Sequence, residues 1–298
     1  MFSSKRRPIN IKELIIEKSL QVFAGISILT TIAIVFSLLS ESITFFKEVS
    51  INEFFTSTVW TPLMEPRNFG IIPLLVGTLM IALGASIVSI PIGLGTAIYL
   101  SEFASRKLRN IIKPILEILA GIPSIVYGFF ALTFITPLIK SIFPSTEVFN
   151  VASASIAIGI MNIPLVASLS EDAMTAVPNS IRNGAYALGS TKLEVATKIV
   201  VPGAISGIIA SFVLAVSRAI GETMIVAIAA GSNPQLNFNP LKSVQTMTTY
   251  IVNISMGDVA HGTVEYRTLF AVGATLFVMT FILNIIAKSI ISRKSEVA

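Results

Sequence analysis

Long charge-free apolar stretches alternate with short polar connections along the chain, and this alternation predicts the architecture directly. A helix needs roughly 20 residues to cross a hydrocarbon core of about 30 Å. Six stretches reach that length, at 19–40, 69–101, 118–139, 148–170, 199–230 and 268–287. Only the fifth carries charge, in Arg218 and Glu222. A backbone in lipid must satisfy its own hydrogen bonds, so a span is either a helix or a strand of a closed barrel, and barrel strands are short and alternating. The prediction is an all-α integral membrane protein with six transmembrane helices. The first stretch is too long for the apolar core of a signal peptide and has no small-x-small site after it, which predicts a retained anchor.

Charge placement gives the orientation. Taking alternate connections, fifteen Lys and Arg fall on the side of the N-terminus, among them Lys5, Arg6, Arg7, Arg106, Lys107, Arg109, Lys113, Arg182 and Lys198, and five fall on the other. The positive-inside rule then puts both termini in the cytoplasm and the chain in the cell inner (plasma) membrane, which an even number of spans permits. Composition agrees. The 298 residues are 53% hydrophobic and 12% charged, against about a quarter charged in soluble domains. With no cysteine and one histidine, His261 in an outer connection, thiol chemistry and Cys- or His-built metal sites are excluded. No G-x-x-x-x-G-K-[ST] loop is present, so ATP would have to be hydrolysed by another chain. The net charge of +5 follows membrane topology rather than an aromatic-lined groove, which argues against nucleic acid.

Two connections stand out. The outer segment 231–267 is long, and within it 244–256 is uncharged yet rich in Thr, Asn and Gln, which leaves an interfacial or a re-entrant piece open. The cytoplasmic insert 171–198 opens with Glu171 and Asp172, breaks at Pro178, and continues as an amphipathic run interrupted by Gly189. Two short helices joined at that glycine would suit a docking knob for a cytoplasmic partner, and an ordinary interhelical loop is the plainer alternative.

Within this insert Asn183-Gly184-Ala185-Tyr186-Ala187-Leu188-Gly189, followed by Ile199-Val200-Val201-Pro202, resembles the E-A-A-x3-G-x9-I-x-L-P signature of ABC importer permeases. Asn183, Gly184 and Val201 depart from it. The runs 69–78, 119–128 and 218–224 are similar to phosphate importer permeases, and Ser101-Glu102-Phe103-Ala104 with Tyr127 looks more like the PstC-type than the PstA-type partner of that heterodimer. The resemblance implies a five-helix permease core over 69–290, preceded by an anchor region 1–68 and followed by a cytoplasmic tail 291–298. It implies that residues 183–189 couple to a cytoplasmic ABC ATPase dimer that binds ATP and Mg, with no cofactor in this chain. Further implied partners are a second homologous permease subunit and an extracytoplasmic phosphate-binding protein, all among membrane lipids.

Arg218 and Glu222, four residues apart, would share one face of a continuous helix. Each costs on the order of 2.5–3.5 kcal/mol at mid-bilayer on an insertion scale, so an ion pair or an aqueous cavity has to compensate. The functional reading is that Arg218 offers planar donors to a dehydrating oxyanion while Glu222 holds the guanidinium in the empty path. The alternative is a buried pair that only fixes helix register. Ser153, Ser155 and Asn162 give the fourth span a polar stripe that either lines the path or bonds a neighbouring helix. Pro91, Gly93, Gly95, Gly121 and Pro123 mark hinges or plain packing, and Gly203 with Gly207 marks a close helix contact. Glu102 and Glu117 flank the basic stretch 106–113 and are natural partners for it. A permease for another oxyanion or small polar solute, a passive anion channel, and more remotely an intramembrane enzyme are the competing functions.

Overall fold

Small side chains let the two central helices approach closely, and the rest of the bundle is arranged around that seam. The computed structural model describes residues 11–295, so Lys5, Arg6, Arg7 and the last three residues of the tail lie outside the described residues. In chain order the helices are α1 (Ile11–Glu48), α2 (Ile51–Thr56), α3 (Ile72–Ile98), α4 (Arg106–Ala120), α5 (Ser124–Phe130), α6 (Thr136–Ile142) and α7 (Val151–Thr175). They continue as α8 (Asn179–Ala187), α9 (Lys192–Val195), α10 (Val201–Gly203), α11 (Ile205–Gly221), α12 (Met224–Ala229), α13 (Met247–Met256) and α14 (Val264–Ser295). Wide π-type turns extend α3 through Tyr99–Phe103, join α5 to α6 through Ala131–Ile135 and join α9 to α10 through Ala196–Val200.

Five helices, or six with the bent pair α9–α10 and α11 taken as one span, are long and apolar enough to cross a membrane among the described residues. A long apolar first helix and the all-helical class stand as expected; the only β pairings among the described residues are isolated bridges, Val59 with Gln235 and Trp60 with Phe69. Several boundaries move. The stretch 118–139 is two elements, because residues 118–120 end the amphipathic α4 and the chain breaks before Pro123. Glu171 and Asp172 do not open the insert but lie in the last turns of α7. Residues 291–295 of the expected tail continue α14.

The fifth stretch is corrected most. It bends by 72° at Ala204 and ends at Gly221, where Glu222 turns extended with ψ 134°. Segment 244–256 folds back into the bundle rather than lying on its surface. Met247 N–H donates to Thr78 Oγ1 at 3.0 Å, Thr248 Oγ1 to the Glu222 carbonyl at 2.7 Å, and Tyr250 shares a 2.5 Å hydrogen bond with Thr268.

In lipid no hydrophobic force draws helices together, so their association rests on close van der Waals contact and interhelical hydrogen bonds. The α3–α7 seam supplies both. A Cβ on Gly93 would lie 2.6 Å from Val166 Cβ, and one on Gly159 would lie 2.6 Å from Val88 Cβ. Gly207 meets Ala173 in the same way between α11 and α7, so the Gly203/Gly207 contact is made within the chain. The outer end is closed by Phe45, Phe54, Trp60, Phe69 and Tyr250, with Trp60 edge-on to Tyr250 at 4.9 Å. The inner end is closed by Ala97, Met174, Ala185, Val195 and Ile208.

Gly159→Ala should force α3 from α7 and cost about 1–3 kcal/mol, the usual overpacking range. Gly95, where an added methyl would meet nothing within 4 Å, should tolerate alanine without loss. Thermal midpoints of the detergent-purified variants check the contrast.

Candidate functional site

The buried face of α11 runs through Ile208, Ser211, Ala215 and Ala219, at helical spacing. Two bonds from α7 fix it: Ser170 and Ser211 hydroxyls at 2.8 Å, and Asn162 Nδ2 to the Ala215 carbonyl at 3.2 Å. The opposite stripe, Leu214, Arg218 and Gly221, is exposed. Arg218 therefore sits in the last turn of α11 on a face that the described residues leave exposed.

No ion pair among the described residues includes Arg218 or Glu222. The expected shared helical face is lost because α11 stops at Gly221. Glu222 instead accepts the Ile225 N–H at 3.4 Å, over the first turn of α12. Beside Arg218, Ser217 Oγ donates to Asn284 Oδ1 of α14 at 3.4 Å.

The polar stripe of α7 is spent on helix contacts. Ser153 is buried and accepts from Thr136 Oγ1 at 2.8 Å, and Ser155 donates to the Ile81 carbonyl at 3.4 Å. Asn162 is buried against α11, so the interhelical alternative describes all three better than the path.

At the inner end α8 and α9 form two short helices joined at a glycine. Gly189, at φ +84°, is the C′ residue of α8: its N–H donates to the Tyr186 carbonyl at 3.0 Å, and Ser190 N–H reaches the Ala185 carbonyl at 3.1 Å. These two bonds make a Schellman ending, whose left-handed residue glycine adopts without a Cβ clash. Thr191 and Glu194 then form a capping box that starts α9. Within 183–189 only Ala185 is buried; Asn183, Gly184, Tyr186, Ala187, Leu188 and Gly189 are exposed, and Leu188 is 89% exposed.

The family of binding-protein-dependent transport system inner membrane components matches residues 89–296. The chain belongs to this family. It is 33% identical over 246 residues to a probable ABC transporter permease protein, YqgH, of Bacillus subtilis, covering 83% of this chain and 79% of that one. It is 35% identical over 263 residues to the phosphate transport system permease protein PstC of Xylella fastidiosa, covering 82% and 79%. To PstC of Pasteurella multocida it is 31% identical over 306 residues, covering 95% and 93%. In fold it is similar to a chain of a bacterial alginate ABC transporter crystallised with a pentasaccharide-bound periplasmic protein. There the TM-score is 0.66 at 14% identity, with 93% of this chain and 94% of that one covered.

For a family member of this architecture, sequence reasoning missed two charge clusters at the inner end. Glu171, 1% exposed, is bonded by Arg109 and, at 2.9 Å, by Lys113, which also reaches Asp172 at 2.8 Å. Arg109 and Lys113 thus join α4 to α7 rather than serving only the membrane surface. Glu102 pairs with Arg182 of α8 and not with the stretch 106–113. A carboxylate immediately after an apolar span, with basic residues in the preceding loop, was the available signal for the first cluster.

The Lys113 ammonium is held above its ordinary value of 10.5, by the Asp172 hydrogen bond first and the Glu171 bond second. A raised lysine contributes fully below its ordinary value, and this share is lost as pH rises from there through the raised one. Replacing Arg109 and Lys113 together by alanine should strand the buried Glu171 and cost about 3–5 kcal/mol. Asp172→Ala, at a half-exposed carboxylate, should cost under about 1 kcal/mol. Chemical denaturation of the purified chain at neutral pH measures both.

Proposed function

We propose that this chain is a transmembrane permease subunit of an ATP-driven importer of inorganic phosphate, forming half of the translocation path. The observation that carries the reading is Arg218, a guanidinium in a membrane-spanning helix, without an ion pair among the described residues and on a face they leave exposed. A charge so placed needs a watery cavity or a charged visitor. Its planar donors match phosphate oxygens in pairs, which an ammonium cannot reproduce. The PstC relatives supply the substrate. Ser217, adjacent to Arg218 in the chain, and Asn284, which accepts from it, are further candidates to line the path, whereas Glu222 acts by capping the break at 222–223.

The uncovered face belongs against a second, homologous permease subunit, so that the path runs between the two. The exposed turn 183–189 docks on an ABC ATPase dimer, which holds ATP and Mg; this chain carries no cofactor. An extracytoplasmic phosphate-binding protein delivers substrate to the outer segments. With both termini cytoplasmic, ATPase closure moves α8 and shifts the bundle between inward-open and outward-open states, the energy coming from the partner. Residues 1–68 anchor, 69–290 form the permease domain, and the end of α14 with the tail lies in the cytoplasm.

Labelled phosphate uptake by cells that lack their own high-affinity system, and that express this chain with its partners, tests the reading. Uptake should be ATP-dependent and resist excess sulfate; competition by sulfate would transfer the assignment to a broader oxyanion importer. Arg218→Ala removes charged hydrogen bonds worth about 1.5–3 kcal/mol, so uptake should fall at least about tenfold with the assembled complex intact. Loss of the complex instead would make Arg218 a structural residue.

A further inference from the structure

A second arginine, largely buried at the inner end, joins three elements that the transport cycle has to move together. Arg182 projects from α8. Its guanidinium donates to Glu102 at 3.1 Å, to the Met174 carbonyl at 2.7 Å, to the Val177 carbonyl, and to Asn179 Oδ1 at 3.3 Å. Glu102 belongs to the wide turn that ends α3, and Met174 to the last turn of α7. The pair is secluded, with side chains 12% and 5% exposed. Glu102 accepts a further bond from Ser101 Oγ at 2.8 Å.

The Met174 carbonyl, in the last turn of α7, also accepts the Val177 N–H at 3.2 Å and lies at the negative end of the helix dipole, where a guanidinium is favoured. One planar fork can serve two carbonyls and a carboxylate at once; a lysine would retain the charge without the fork. Little else holds α8, since Ala185 is its one buried residue. From α7 the bonds Ser170–Ser211 and Asn162–Ala215 lead on to α11, the helix that carries Arg218.

We propose that Arg182 is the positioning residue of the coupling segment: it clamps α8 to the inner ends of α3 and α7, so that displacement of α8 reaches the helix bearing Arg218. The clamp's role in transport rests on the function proposed above. A residue that only stabilised the fold would change the amount of complex, and uptake and ATP hydrolysis would fall in parallel. A clamp changes their ratio.

The test uses the complete importer, reconstituted in vesicles, with phosphate moved and ATP hydrolysed measured in the same sample. Arg182→Ala should leave the recovered complex largely intact. It should lower phosphate moved per ATP at least about tenfold, as expected for the loss of several charge-assisted bonds, and Arg182→Lys should lower it less. An unchanged ratio in Arg182→Ala, or parallel losses that track the amount of complex, would overturn the proposal. Should the alanine variant not assemble, Arg182→Lys decides, an unchanged ratio counting against the clamp.

A second readout is independent of transport, because the chain has no cysteine and reporters can be placed at will. Spin labels on Leu188→Cys and Ile92→Cys, both exposed positions, report the distance between α8 and α3. The distribution should broaden when Arg182→Ala is added, and an unchanged distribution would refute the clamp. If the unmodified complex couples no ATP hydrolysis to phosphate, the functional reading fails while the label distances still judge the clamp.

Discussion

Close backbone approach between α3 and α7 is the constraint on which the other features of the structure depend. Gly84 and Gly159 admit Ser155 and Val88, and Gly93 admits Val166, so the two helices touch along most of their length. With α7 held in this way, its serines and its asparagine reach neighbouring elements: Ser155 to α3, Ser153 to α6, and Asn162 and Ser170 to α11. Those bonds set the rotation of α11. The rotation turns Ala215 and Ala219 inward and Arg218 outward, and it is what separates a charge on an open face from a charge in a packed core.

Three arginines show how the chain treats charge near the membrane. Arg109 meets the buried Glu171, and Arg182 meets Glu102 together with the carbonyls of Met174 and Val177 at and just beyond the end of α7. Both are compensated inside the chain, and both tie connections between spans to the spans themselves. Arg218, on the exposed face of α11, has no ion-pair partner among the described residues. Charges at the α4, α7 and α8 end serve cohesion, whereas the charge in the fifth span stands on an exposed face.

Local backbone devices direct these groups. The break after Gly221 frees the Glu222 carbonyl to accept from Thr248, which draws the re-entrant α13 into the bundle, and it carries the Glu222 carboxylate away from Arg218. The π-type turn at the end of α3 carries Glu102, and such single wide turns often mark functional positions in helices. Gly189 reverses the chain between α8 and α9 so that Leu188 stands exposed at the tip of that turn.

Spans, class and the glycine turn between two short helices were legible in the sequence because each is a local property. Apolar length decides what enters lipid, Lys and Arg bias decides orientation, and a glycine between two short amphipathic runs marks a turn that can take φ > 0. Resemblance of 183–189 and 218–224 to importer permeases added the function. The tertiary structure alone decided which charges meet. Arg218 and Glu222 are four residues apart and do not pair, while Arg109 and Glu171, 62 apart, and Arg182 and Glu102, 80 apart, do. Helical spacing brings two side chains together only while the helix continues, and pairing across connections depends on how the spans pack. The same packing decided that Ser153, Ser155 and Asn162 serve cohesion, since a polar group within a span has no preference between water and a neighbouring helix until the neighbour is in place.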